Sequence, residues 1–367
     1  MQRYLGVISG TSMDAIDVVT LVVEDGQLNT VGFYSLEYPA TLRHTLEELC
    51  HPENRSIENE LECAASADVE LGKLIATAIG NALHRQNLSP GDIVAIGSHG
   101  QNIRHRPYGD HPFSLQIGNP AFIAEQTGIT TVANFRMSDI AAGGQGAPLA
   151  PGFHQAAFES DSASRCILNL GGIGNITLLG KGACIGYDTG PANTLMDQWC
   201  QLHTSEPFDR DGNWAMTGNV ISPLLEQLLA DRYFGQPYPK STGREHFNLL
   251  WLTNKLGKPN QYQPEDVQRT LLELSAQSIA NEINRHQPDE VYSCGGGVNN
   301  PALIQRIADL LIPPLKGTTA TLGIHPQHVE GAAFAWFAHC TLNHRPSNIP
   351  TVTGARRPKI LGGIYYP

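Results

Sequence analysis

Residues 166–193 read CILNLGGIGNITLLGKGACIGYDTGPAN and bring a run of glycines within reach of a single carboxylate, Asp188. An apolar run enters the turn at Gly171, Gly172 and Gly174, and a second apolar run leaves it. Glycine takes the positive φ angles of a tight turn, and a turn free of side chains lets its N–H groups close on an anion such as a phosphate. A third short run ends at Asp188, followed by Gly190, Pro191 and Asn193. This places the carboxylate at a strand end just before a proline that starts a helix, where α/β proteins expose reactive groups. As local structure alone, the same residues also make an ordinary hairpin with a capping aspartate.

The chain has 367 residues, enough for two domains at about 150 residues each. Hydrophobic residues make up 41% and charged residues 16%, the balance of a well-buried globular protein. The net charge is −11, from 24 basic and 35 acidic residues. Generic binding to nucleic acid or to an anionic membrane calls for the opposite sign, so neither is expected. A small anionic substrate stays compatible, because local donors override the global field. The cysteines at 50, 63, 166, 184, 200, 294 and 340 are scattered, odd in number and form no Cys-x-x-Cys pair. Buried thiols in a reducing cytoplasm are the expectation. No signal-peptide core follows Met1, and no apolar run approaches the roughly 20 residues of a membrane span. A soluble cytoplasmic protein follows from these readings.

The elements that must position the glycine turn and the aspartate follow from periodicity. Residues 4–8, 13–23 and 28–36 read as a three-strand meander, with a tight turn at 9–12 and another at Asp25-Gly26. Helical patterns follow at 39–50 and 57–86, then a buried strand at 93–97 leading into Ser98-His99-Gly100-Gln101. A short helix at 120–126 and a strand at 129–133 come next. Residues 134–151 are rich in glycine and alanine without a period and read as a loop or hinge between domains. The second half opens with the hairpin and continues with helices at 194–202, 221–230 and 265–285. A buried strand at 290–293 then runs into Gly295-Gly296-Gly297, and helices at 301–311 and 329–343 close the pattern. Each half thus begins with three strands, passes through helices, and later places a buried strand before a polar or glycine-rich loop. This is an internal repeat at domain scale, and two such domains facing each other would leave a cleft for a ligand.

Nine blocks carry a resemblance that spans nearly the whole chain. They are GVISGTSMDAID (6–17), IGSHGQNIRH (96–105), QIGNP (116–120), ANFRMSDIAAGGQGAP (133–148), NLGGIGN (169–175), DTGPAN (188–193), FDRDG (208–212), KSTGREHF (240–247) and CGGGV (294–298). The chain resembles the anhydro-N-acetylmuramic acid kinase family, within the sugar kinase/Hsp70/actin superfamily. One departure is Ala15, where the family pattern usually has glycine. The resemblance implies an α/β fold of two ribonuclease-H-like domains of actin/hexokinase type, with mixed sheets flanked by helices and an interdomain cleft. The expected boundaries are 1–134 for domain I, with the tail 355–367 packing back on it, and 135–354 for domain II. It also implies a homodimer and an ATP-dependent reaction on 1,6-anhydro-N-acetylmuramic acid. In that reaction the anhydro bond is hydrolysed and O6 is phosphorylated, giving N-acetylmuramic acid 6-phosphate.

On that resemblance Gly10, Thr11, Ser12, Met13, Asp14, Ala15, Ile16 and Asp17 form one phosphate loop, with Asp14 holding Mg²⁺ through water. Gly171, Gly172, Gly174 and Asn175 form the second, and Gly295, Gly296 and Gly297 admit the adenosine. No Walker A sequence is present, so backbone turns must bind the phosphates. Asp188 is the expected general base for the water that opens the anhydro ring. Ser98, His99, Gln101, Arg136, Asp139, Gln145 and Glu330 are the expected substrate contacts. Arg136 suits the lactyl carboxylate as a bidentate fork, although an ion pair with Asp139 would account for it equally. Glu330 opens the apolar helix VEGAAFAWFA (329–338), where complementing the helix dipole would by itself explain it. His99, His105 and His111 beside Asp110 sit in proline-rich loops without His-x-x-x-His spacing, and no zinc site is expected. An ATP-gated switch of the Hsp70 kind, and a kinase for a different anhydro- or amino-sugar, are the alternatives. The switch is disfavoured because the pattern shows no peptide-binding domain after the last helix.

Overall fold

The computed structural model describes residues 1–9, 15–50, 59–180, 182–258 and 261–367. In the first part of the chain, β1 (Gln2–Ser9), β2 (Ala15–Glu24) and β3 (Gln27–Glu37) form the antiparallel meander, with Leu5 opposite Thr20 and Val18 opposite Tyr34. Helices α1 (Ala40–Cys50) and α2 (Glu60–Arg85) follow, then β4 (Ala95–Ser98), which lies parallel to β1. A separate hairpin pairs β5 (Gln101–Arg106) with β6 (Phe113–Ile117). Next come α3 (Pro120–Thr127), β7 (Thr131–Ala133) parallel to β4, α4 (Phe135–Ala141) and α5 (Ala150–Phe158).

The second sheet repeats this plan. β8 (Arg165–Leu170), β9 (Ile173–Gly180) and β10 (Ala183–Pro191) form an antiparallel meander. Helices α6 (Thr194–Thr204), α7 (Ser222–Leu229), α8 (Leu249–Leu256) and α9 (Pro264–His286) lead to β11 (Glu290–Cys294), which lies parallel to β8. After α10 (Pro301–Leu310) comes β12 (Leu315–Thr318), parallel to β11. The chain ends with α11 (Val329–Leu342), α12 (Pro350–Thr353) and β13 (Gly363–Tyr365), which pairs with β7.

The strand order is β13-β7-β4-β1-β2-β3 in one sheet and β10-β9-β8-β11-β12 in the other. In each, the third, second and first strands of the meander are followed by two parallel strands, the 3-2-1-4-5 order of a ribonuclease-H-like sheet. The domain-scale repeat read from the residue pattern is therefore present in the topology.

Two compact units result, Met1–Ala157 with His328–Pro367, and Phe158–Gln327. These divisions differ from the expected boundaries at 134/135 and 354/355, and α11 supplies the physical reason. It packs against the strands of the first sheet so tightly that a Cβ on Gly6 would lie 1.8 Å from the Gly331 carbonyl oxygen. A Cβ on Gly97 in β4 would lie 1.9 Å from the Phe334 carbonyl oxygen. Tyr4 adds a contact of 3.1 Å between its hydroxyl and His339 Nδ1. On the other face Leu5, Val7, Ile16 and Val18 join Leu71, Ile75 and Ile79 of α2 in one core. With both faces covered, β2 is apolar almost throughout rather than alternating.

Residues 134–151 are not the structureless hinge that their composition suggests. They contain α4 and belong wholly to the first unit. The helix is too short to carry a period and is held by tertiary hydrogen bonds. Buried Asp139 accepts from the Gly146 N–H, Asn348 Nδ2 and Thr353 Oγ1, each at 2.8 Å. All the cysteines are free, Cys50 and Cys63 partly exposed and the others buried. Among the described residues no helix is long and apolar enough to cross a membrane.

Replacing Gly97 by alanine tests the α11 contact. Both colliding groups are backbone, so relief requires moving a strand or a helix, and overpacking of that kind costs about 3 kcal/mol or more. Urea unfolding of Gly97→Ala is expected to show this loss in midpoint, whereas Gly80→Ala, with open space around its Cβ, is expected to lose none.

Candidate functional site

Asp188 lies in β10 opposite Asn175, and the ladder register shifts between Asp188 and Gly190. Gly190 has φ +144°, and a Cβ there would lie 2.8 Å from a Phe234 ring carbon, so only glycine fits the bulge. Pro191 ends the strand rather than starting a helix, and α6 begins at Thr194, where the helical pattern over 194–202 places it.

One oxygen of the Asp188 carboxylate is fully engaged. Oδ2 accepts from Ser241 Oγ at 2.9 Å and from the Thr242 N–H at 3.0 Å. The backbone is pinned too, its N–H donating to the Lys240 carbonyl at 3.1 Å and its carbonyl accepting from the Tyr233 hydroxyl at 2.6 Å. No hydrogen bond to Oδ1 occurs among the described residues. Burial pushes the Asp188 pKa up, the Thr242 N–H and the Ser241 hydroxyl pull it back, and the charge of Glu245 adds to the rise. A carboxylate with one oxygen anchored, the other open and a raised pKa has the attributes of a general base.

Behind this loop lies a buried ion pair. Lys240 Nζ is 2.7 Å from Glu282 Oε1, with both side chains almost wholly withdrawn from water. The ammonium also lies 4.8 Å from the centre of the Tyr233 ring, the same tyrosine that holds the Asp188 carbonyl. Glu282 Oε2 accepts from the Tyr187 hydroxyl at 3.1 Å, and Arg285 reaches both carboxylate oxygens. Lys240, Ser241 and Thr242 belong to the KSTGREHF block, which residue-type reasoning quoted but gave no role.

The glycine turn is built differently from the expectation. None of Gly171, Gly172 and Gly174 has a positive φ. Space is the requirement instead: a Cβ on Gly174 would lie 2.8 Å from Thr189 Oγ1, and one on Gly172 would lie 3.2 Å from two nitrogens of the Arg244 guanidinium. The carbonyls of Gly171 and Gly172 accept from the N–H groups of Ala192, Asn193 and Thr194, which ties the start of α6 to the turn. Asn193 Nδ2 adds bonds to the Gly171 and Leu170 carbonyls at 2.7 and 3.2 Å. The N–H groups of Gly171 and Gly172 donate to no partner among the described residues, so they are open to an anion. Asn175 lies beyond the turn, inside β9.

Gly295 and Gly297 pack on Asn169 and Leu170, the end of β8 that leads into this turn. Gly295 has φ +83°, and its Cβ would lie 2.4 Å from Asn169 Oδ1; a Cβ on Gly297 would lie 2.7 Å from that of Leu170. Gly296 faces open space. It lines a cavity of about 510 Å³ with Gly297, Asn193, Asp197, Phe208 and Arg210. The FDRDG block thus meets the glycine loop, a conjunction that spacing in the chain could not reveal.

In the first unit, Gly10, Thr11, Ser12, Met13 and Asp14 lie outside the described residues. Ala15, Ile16 and Asp17, expected in the phosphate loop, stand in β2. Ala15 opens that strand opposite Glu37 with no positive φ, so the missing glycine costs nothing there. Ile16 is a core side chain, and Asp17 accepts from Ser35 Oγ at 2.6 Å. Among the described residues no group of three or more His, Cys, Asp or Glu side chains is arranged to hold a metal ion.

His99 and Arg136 form one assembly. His99 Nδ1 is 2.8 Å from the Gly100 carbonyl, and Nε2 is 3.2 and 3.1 Å from Arg136 Nε and Nη2. Burial, and then the Arg136 charge, push the His99 pKa down to about 3, so the ring is neutral. Its Nδ1–H donates to Gly100 and its Nε2 accepts from the guanidinium. Arg136 Nη1 also donates to the Gly146 carbonyl at 2.9 Å. The alternative ion pair with Asp139 is not formed, because Asp139 is consumed by Gly146, Asn348 and Thr353. Burial lowers the Arg136 pKa, and the charge of Glu330 opposes that shift. Glu330 itself is exposed in the first turn of α11. Gln101 Oε1 accepts from Ser9 Oγ, Ser98 Oγ is buried without a hydrogen-bond partner, and Gln145 is exposed. Asp139 therefore holds the local fold, while His99 and Arg136 are joined by hydrogen bonds and the Glu330 charge acts on Arg136.

The family model for anhydro-N-acetylmuramic acid kinase matches residues 2–367. A relative from Pseudomonas paraeruginosa (strain DSM 24068 / PA7) bearing that name is 49% identical over 372 residues, spanning 100% of this chain and 99% of its own. One of the same name from Saccharophagus degradans is 48% identical over 370 residues, spanning 99% of each chain. Another from Coxiella burnetii (strain RSA 493 / Nine Mile phase I) is 46% identical over 370 residues, spanning 100% of this chain and 98% of its own.

Two outcomes follow from the Asp188 environment. Because its folded pKa is raised, the carboxylate protonates above the ordinary aspartate value of 3.8, and the acid limb of the kcat/KM profile is expected above that pH. Ser241→Ala removes a bond that favours the charged form, so the limb should move to still higher pH. Lys240→Ala leaves Glu282 buried with only peripheral partners and should cost about 3–5 kcal/mol in urea unfolding.

Proposed function

We propose, because the chain belongs to the anhydro-N-acetylmuramic acid kinase family, that it opens the anhydro ring of 1,6-anhydro-N-acetylmuramic acid with water and phosphorylates O6 from ATP. The observation that carries this reading is the Asp188 carboxylate, anchored through Oδ2 and open at Oδ1, three residues along the ladder from a glycine turn with two unengaged N–H groups.

In the proposed reaction Asp188 accepts a proton from a water that attacks C1 on the face opposite O6. The C1–O6 bond breaks and its electron pair goes to O6. O6 attacks the γ-phosphorus in line, the bond from that phosphorus to the bridging oxygen breaks, and ADP leaves. The products are N-acetylmuramic acid 6-phosphate, ADP and the proton taken up by Asp188. This is an inverting glycoside hydrolysis whose leaving oxygen is captured by phosphorus rather than by a proton. A carboxylate positioned as general base contributes about 10²–10⁴ in rate.

The turn 171–174 is the proposed phosphate cradle, and Gly296 with the cavity beside Phe208 and Arg210 is the proposed place for the nucleoside. Glycines at 295 and 297 allow that cavity wall to lie directly on the end of β8 that leads into the turn. In the first unit, Arg136 uses three N–H groups on His99 and Gly146 and keeps one on each terminal nitrogen, a pair suited to the lactyl carboxylate. Divalent magnesium, when bound with ATP, neutralises β- and γ-phosphate charge. The absence of a multi-carboxylate cluster among the described residues fits a cation that arrives with the nucleotide, and Asp14 is the residue proposed to hold it through water.

Incubation with ATP and the anhydro-sugar should yield a product heavier by both phosphate and water, with ¹⁸O from labelled water on C1. A product heavier by phosphate alone, or ¹⁸O on phosphate, would overturn the reading. Asp188→Asn should bind ATP normally and lose about 10²–10⁴ in turnover; near-normal turnover would remove Asp188 from the role.

A further inference from the structure

We propose that Arg244 binds the transferred phosphoryl group, its guanidinium and the N–H groups of Gly171 and Gly172 together forming one oxyanion site. The proposal rests on reading the 171–174 turn as a phosphate cradle and adds to it a cationic side chain of the chain's own.

Arg244 Nε and Nη2 each lie 3.2 Å from where a Cβ on Gly172 would stand, and Cζ lies 3.7 Å from it. The guanidinium therefore lies over the turn, and a side chain at 172 would displace it by a few tenths of an ångström. Arg244 is exposed, yet it makes no ion pair and its guanidinium donates no hydrogen bond among the described residues. Holding a long side chain over a backbone turn costs rotamer freedom, and no carboxylate offsets that cost here. The turn presents unengaged N–H donors beside the guanidinium, so donors and a cation converge on one patch. That is unusual in a chain of net charge −11, and it is what an anion with several oxygens needs.

Placement along the chain strengthens the case. Ser241 and Thr242 hold Asp188 Oδ2, and Arg244 follows two residues later in the same loop. Asp188 pairs with Asn175, three residues beyond Gly172. A single loop thus carries the anchors of the base and the cation over the turn. A guanidinium presents a planar fork that matches two phosphate oxygens, and it stays charged throughout turnover. As O6 attacks and ADP departs, charge redistributes over the phosphoryl oxygens. A cation in place there is worth about 10³–10⁵ in rate in other phosphoryl-transfer enzymes.

The test combines kinetics with amide chemical shifts. Arg244→Ala should keep the wild-type melting temperature and ADP affinity but lose about 10³ in kcat. Added guanidinium should restore part of that loss in a concentration-dependent way, and Arg244→Lys should fall between. In ¹⁵N spectra the Gly171 and Gly172 amides should shift when a non-hydrolysable ATP analogue binds, in both wild type and Arg244→Ala. If the amides shift but Arg244→Ala turns over normally, or guanidinium gives no rescue, the Arg244 role is overturned and the cradle stands. If the amides do not shift in the wild type, the cradle reading falls and the Arg244 role falls with it.

Discussion

A carboxylate drawn partly out of water will neutralise or swing away unless something fixes it, and here the fixture is a loop more than fifty residues further along. Ser241 and Thr242 clasp one oxygen of Asp188, and Lys240 binds its backbone. That loop is in turn moored by the Lys240–Glu282 pair to the long helix α9. Two buried opposite charges contribute little net stability compared with apolar groups of the same shape, because desolvation offsets their attraction. What they supply is position. Lys240 has one place where its charge is matched, so the residues that follow it have one place to be. Tyr233 reinforces this by touching both the ammonium and the Asp188 carbonyl.

Around this fixture the second sheet is assembled by close backbone approach. Gly174 admits Thr189, Gly190 admits Phe234, and Gly295 and Gly297 admit the end of β8 at Asn169 and Leu170. Each glycine removes a side chain where two segments would otherwise collide. The first sheet uses the same device at Gly6, Gly97 and Gly331, where helix α11 sits on strand backbone. The two units share a strand order and also a way of packing, although the contacts serve different ends. In the second unit they shape a turn and a cavity. In the first they bury a helix so apolar that it has no solvent face over residues 331–341.

Much of this was legible in residue order. The meanders, the long helices α2 and α9, and the buried strands before polar or glycine loops follow from periodicity, because burial of one or both faces imposes it. The domain-scale repeat was legible for the same reason. Short elements were not. The β5–β6 hairpin, α4, α8 and the edge strands β12 and β13 carry too few residues for a period, and their stability comes from distant partners such as Asp139 with Asn348 and Thr353. The boundary between units was misplaced for a related reason. Helix 329–342 is apolar all round, and such a helix does not declare which sheet it covers.

The candidate site divides in the same way. By itself the order of residues determined that Asp188 follows a glycine-rich hairpin, that a second glycine run follows a buried strand, and which family's motifs these are. Those are statements about neighbours along the chain, which sequence records directly. Only the tertiary structure decided that KSTGREHF closes on Asp188, that Arg244 lies over Gly172, and that Arg136 is held by His99 rather than by Asp139. These pairings join residues tens of positions apart. They depend on which buried charges and donors find partners once the chain is compact, and no local pattern encodes that competition.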